Sequence, residues 1–225
     1  MEFSKIFVTR SGSFFVLILS LSTAQAAFIS DLLITEVMAN PLKVSDKVGE
    51  WFELFNPTSE KINLNNIFIK DNDKDSHKIN NGAPLLIYPK GYLVLALMLS
   101  DIKEDEFTSV YVYDYKDFKL ANGGDEIILS DGKTDLLRLD YSSRFVSSGR
   151  SSELMSKKMT EGNYQLTDPV NLNSDGDIGT PGFLSSEQKF LNTVSAPSTS
   201  MLFVFILYFL KKLKYQSIEF KKIIR

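Results

Sequence analysis

Short, mostly apolar runs separated by polar turns mark the body of the chain, at the lengths that β-strands take. They fall at 33–38, 50–56, 62–70, 85–88, 92–97, 110–113, 126–130 and 136–141. Two of them, in ITEVMANP (34–41) and GEWFELFNP (49–57), stop at an Asn-Pro pair. Proline has no N–H to give a ladder, and asparagine suits a turn, so both strands end there. In the second run Trp51, Glu53 and Phe55 share one sheet face, and Phe52 and Leu54 share the other. Asn65-Asn66, Pro89-Lys90-Gly91, Asn122-Gly123-Gly124 and Asp131-Gly132 punctuate the runs. No stretch of the body carries a helical period, so the pattern predicts an all-β sandwich or barrel.

Both ends break this pattern. Lys5 and Arg10 precede an apolar run at 14–21 and then Ala24-Gln25-Ala26. That order predicts a signal peptide over 1–26 with cleavage after Ala26, since the run is too short to span a bilayer. Residues 194–210 carry no charge, and their core, MLFVFILYFL at 201–210, is wholly apolar. At about 1.5 Å per residue they reach roughly 25 Å, a marginal transmembrane helix. The tail at 211–225 holds six Lys or Arg against Glu219, which predicts a cytoplasmic tail and a domain outside the inner membrane. The stretch 184–200 is rich in Ser, Thr and Pro and reads as a linker.

What remains, 27–183, is large enough to bury its own core. The chain has no cysteine, which excludes a disulfide scaffold and any thiolate chemistry. Residues 27–210 carry 26 acidic against 17 basic side chains, so nucleic acid is an unfavoured partner for the domain. The basic tail suits anionic lipid head groups instead.

The blocks ITEVMANP, GEWFELFNPT, INLNNIFIKD, PKGYLVLA, LANGGDEIILSDGKTDLLRLDY and IGTPGF, in that order, resemble the lamin tail domain of many exported bacterial proteins. The resemblance covers roughly 32–183. It implies an immunoglobulin-like β-sandwich of about nine strands with no enzymatic activity of its own. At the other end, Ser195-Ala196-Pro197-Ser198-Thr199 before the apolar run and the basic tail resembles a PEP-CTERM sorting segment, with Ser195-Ala196 where Pro-Glu is typical. That resemblance implies an exosortase-type enzyme as partner, with Ser195, Ala196 and Pro197 as the sorting motif. A retained C-terminal anchor is the other reading of the same residues.

Candidate chemistry is sparse. Asp71, Asp73 and Asp75 alternate in DNDKD, and Asn171, Asn173, Asp175 and Asp177 in NLNSDGD, patterns that calcium loops use. Each lacks the glutamate an EF-hand places at its twelfth position. Calcium is the one cofactor they suggest, against polar turns in which Asx side chains bond nearby backbone. The single histidine, His77, reads as a strand-edge residue. Trp51 reads as packing, Glu50 and Glu53 as solvated or turn-capping carboxylates on opposite faces, and SSGRSS (147–152) as a flexible surface segment. Neither GxSxG nor HExxH occurs. The expectation is therefore a non-enzymatic, exported, membrane-tethered or surface-sorted module that binds an envelope component or another protein. The alternative is a divalent-metal hydrolase built on the acidic loops.

Overall fold

A computed structural model describes residues 27–80, 82–97, 108–168 and 176–182. The predicted signal peptide with Ala26, the predicted linker, the apolar run, the basic tail, Asn171, Asn173, Asp175, Ser195, Ala196 and Pro197 all lie outside them. Among the described residues no helix is long and apolar enough to cross a membrane.

The described chain is all-β. Its strands are β1 (Leu33–Met38), β2 (Trp51–Phe55), β3 (Ile62–Asn63), β4 (Phe68–Lys70), β5 (Ser76–Lys78), β6 (Leu86–Ile87), β7 (Tyr92–Ala96), β8 (Thr108–Val112), β9 (Gly124–Ser130), β10 (Asp135–Ser142), β11 (Ser152–Leu154) and β12 (Tyr164–Leu166). They form a larger sheet in the order β12-β11-β1-β2-β7-β8, a smaller one in the order β10-β9-β4-β5, and the pair β3-β6. All pairings are antiparallel except β7 with β8.

The described strands number twelve, against the nine or so expected. The 62–70 run divides into β3 and β4 because Asn66 turns the chain with φ of 71°, a conformation asparagine tolerates better than most residues. The additional strands β5, β11 and β12 are three residues each. They are too short and too polar to show an alternation.

One apolar cluster fills the space between the sheets. Ile34, Phe52, Leu54, Leu93 and Leu95 of the larger sheet meet Ile69, Ile127, Leu129, Leu137 and Leu139 of the smaller. Phe52 packs edge-on against Phe118, a favoured aromatic geometry. The larger sheet is buried on its other face too. There Met38, Trp51, Val94 and Ala96 form a second cluster, as expected of Trp51. All five residues of β2 are consequently buried, and the polar ones among them need internal partners.

Candidate functional site: a row of carboxylates beneath a strap

On that second face three glutamates stand side by side. Glu36 of β1 is paired with Glu153 of β11 on one side and with Glu53 of β2 on the other. A β-bulge assembles the row. Ile34 pairs with Leu54 and Glu36 with Glu53, so Thr35 and Glu36 together oppose a single residue. Ile34 and Val37, three apart, thereby both reach the inner core. Thr35 bonds the Glu53 carboxylate through its hydroxyl at 2.5 Å, and Glu36 lies directly across from it.

Residues 176–182 run over this row as a strap. Asp177 fastens its start, accepting the backbone N–H of Leu42 at 3.1 and 3.2 Å and that of Lys43 at 3.3 Å. Ile178 donates its N–H to Gly149 and accepts one from Ser151, both at 2.9 Å. Thr180 donates its N–H to Glu36 at 2.8 Å, and its hydroxyl lies 2.9 Å from the second Glu36 oxygen and 3.0 Å from Glu153. Gly182 donates its N–H to Glu53 at 2.6 Å and accepts the Thr108 hydroxyl at 3.1 Å.

Two glycines let the strap lie this close. A Cβ at Gly179 would come within 2.9 Å of Trp51 Cζ2 and 3.2 Å of Glu36 Oε1. Gly182 has φ of +83°, and a Cβ there would meet Thr108 Cγ2 at 2.7 Å. Both contacts are closer than a side chain tolerates, and the second position also disfavours any residue with a Cβ.

The electrostatics follow from burial. Glu36, Glu53 and Glu153 are all buried, and none forms an ion pair among the described residues. Burial pushes the Glu36 carboxyl up to about 7, the Ser151 hydroxyl pulls it down, and Glu153 beside it pushes it up again. Burial, followed by the charge of Glu36, holds Glu53 well above the usual carboxyl range despite the Thr35 and Gly182 donors. Ser151 and Thr167 complete the row. Ser151 bonds Glu36 Oε1 at 2.5 Å and also bonds the Thr167 hydroxyl.

The other carboxylates are spread over separate places. Glu50 lies on the opposite face from Glu53, as alternation requires, and accepts the Leu120 N–H at 2.8 Å. Burial raises it to about 8. The reading of Glu50 and Glu53 as solvated is thus corrected. β2 is covered on both sides, and each carboxylate is satisfied by backbone or hydroxyl donors. The reading of 147–152 as a flexible surface segment is corrected likewise, since Ser151 and Ser152 are buried and bond Glu36 and the Phe145 carbonyl.

Asp71 accepts the N–H of Asp73 at 2.8 Å and of Asp75 at 3.2 Å, while Asp75 pairs with Lys119 at 2.7 Å. Asp177 is spent on the strap. No three His, Asp or Glu side chains are grouped to hold a metal among the described residues. His77 sits on β5, an edge strand, with Nδ1 2.8 Å from Asp117 and Nε2 2.9 Å from the Tyr111 hydroxyl. That phenol also accepts the Asn80 N–H at 3.3 Å, so the chain of bonds ends on backbone, with no serine or threonine hydroxyl in it.

Sequence reasoning missed the row itself. Its only local sign was a charged residue in the middle of a strand otherwise apolar, Glu36 in ITEVM and Glu53 in WFELF. Glu153 and Thr180 are distant in sequence and carry no such sign. Compared with protein families, residues 25–143 match the model of the Lamin Tail Domain. No curated protein matches the chain.

Proposed function

The chain belongs to the lamin tail domain family, a family of immunoglobulin-like domains that is not a family of enzymes, and on that premise we propose a non-enzymatic, exported binding and structural module. One observation carries this reading: among the described residues, the buried carboxylates and His77 are engaged in holding the sandwich together. Glu36, Glu53 and Asp177 receive backbone N–H groups of the strap or of the 42–43 turn. Asp75 and Asp117 are paired with Lys119 and His77. Recognition then falls to loops and strand edges, as it commonly does on rigid sandwiches.

In this reading the leader at 1–26 directs export, and the apolar run at 194–210 with its basic tail either anchors the domain to the inner membrane or serves as a sorting segment removed by an exosortase-type enzyme. Support comes from the order of charge, apolar run and small residues at each end. The partner is an envelope component or another protein.

Intact-mass measurement on native protein, separated into membrane and medium, tests the reading. A species that starts near Ala27 and lies outside the cytoplasm is expected. A cytoplasmic species that keeps Met1 would overturn export. Turnover on a phosphoester, glycan or peptide panel that vanishes when Asp71, Asp73 and Asp75 are changed to Asn would overturn the non-enzymatic part.

A further inference from the structure

We propose that the 176–182 strap is a proton-dependent latch, closed over the row of Glu153, Glu36 and Glu53 while Glu36 and Glu53 hold protons and released from the sheet when those two ionise.

The hydrogen-bond count supports this independently of any titration value. The Thr180 hydroxyl lies within bonding distance of both Glu36 and Glu153. It has one proton to give. Both contacts can be bonds only if one of the carboxyls carries a proton and donates it back to Thr180. Neutral carboxyls also remove the repulsion between residues paired directly across adjacent strands, where like charges destabilise. Glu36 and Glu53 are both raised, because burial outweighs the Thr180 and Gly182 donors of the strap, which by themselves favour the charged forms.

Among the described residues no ion pair relieves the row. Glu153 comes from β11, Glu53 from β2 and Asp177 from the strap itself. Tyr92 of β7 feels the charge of Glu53, and β12 contributes Gln165 opposite Glu153. Of the cations beside the strap, Arg150 gives its guanidinium to the Thr167 carbonyl, and Lys43 lies at the strap's start against Gly176. Ionisation would thus place adjacent negative charges beneath the strap, whose amide bonds to the row are those of Thr180 and Gly182. Those amides can find water once the strap lifts. The carboxylates beneath gain full hydration at the same moment.

Trp51, the only tryptophan of the chain, lies directly under Gly179, so its fluorescence reports the strap. In the full-length chain in neutral detergent, raising pH from about 5 to about 9 should shift Trp51 emission to the red and raise acrylamide quenching several-fold, with far-UV circular dichroism unchanged. Glu36→Gln combined with Glu53→Gln should keep the blue emission throughout, because neutral amides still accept the strap N–H groups. Gly179→Ala, whose Cβ would strike Trp51, should give red emission even at about pH 5 with the sheet intact. Blue emission at every pH in the native chain would overturn the latch. So would an equal red shift in the Gln double variant, or a loss of sheet signal in step with the fluorescence, which would mean that the row governs the whole fold. The inference does not depend on export or on the fate of the tail, and cytoplasmic protein would leave it standing.

Discussion

Two carboxyl groups meet at the Thr180 hydroxyl, which has one proton to give, and the residue-level consequence of such crowded, buried carboxyls is a dependence of stability on pH opposite to that of most carboxylate-rich proteins. Burial lifts Glu36 from 4.5 to about 7 and Glu50 from 4.5 to about 8. The folded state therefore binds more protons than the unfolded chain between about 4.5 and these values, and stability falls as pH rises through them. Below that window the sign reverses at the surface. Asp131, fully exposed, is held below the ordinary range by the N–H groups of Thr134 and Lys133, so its contribution is lost in stronger acid. The thermal midpoint is expected to be highest in mild acid near pH 5 and lower at about pH 8. Glu36→Gln and Glu50→Gln should each flatten that slope in thermal melts recorded across the range. A midpoint that climbs steadily from about pH 5 to about pH 8 would show that the two groups ionise freely in the folded state.

Strands differ in what they hold. β2 is buried on both faces, while β5 lies at the edge of the smaller sheet and is secured by main-chain pairing with β4 and by His77. Phe52→Ala should cost about 3–5 kcal/mol, since it opens a cavity between the sheets. His77→Ala should cost about 1 kcal/mol, the net worth of a partly exposed hydrogen bond. Urea denaturation of the two variants under one condition checks the ranking, and equal losses would mean that β5 is as integral as β2. The same contrast explains what could be read from the sequence. Strands such as Leu33–Met38 and Tyr92–Ala96 were legible because long apolar side chains recur along them. Ser76–Lys78 and Ser152–Leu154 were illegible because each is three residues long and rich in polar side chains, and it is pairing with neighbouring strands that holds them. Alternation also fails at Thr35-Glu36, where the bulge turns two successive residues toward Glu53. A carboxylate in the middle of an apolar strand was the available signal there. Its meaning depended on Ser151, Glu153 and Thr180, which only the fold brings near.

For the molecule as a whole, the family match ends at residue 143, yet the larger sheet does not. β1 is paired on its outer side by β11, and β11 by β12. Leu154 and Tyr164 belong to the inner core, the Tyr164 hydroxyl bonds the Ile34 carbonyl at 2.6 Å, and its ring meets Phe145 edge-on. A chain cut at 143 would leave β1 an open edge. It would expose Trp51 where Gly179 had lain, and strip Glu36 of the Ser151 and Thr180 donors. Unpaired edges and uncovered apolar faces favour association over folding. The fragment 27–143 is therefore expected to aggregate or to melt without a sharp transition, whereas 27–183 should unfold cooperatively. Calorimetry with analytical ultracentrifugation on the two fragments decides it. If 27–143 stays monomeric and melts as sharply as 27–183, the strands after residue 143 are accessory. If it does not, the cooperative unit of this chain includes β11 and β12, and the carboxylate row, with Glu153 on β11, is a seam that joins the family match to strands from outside it.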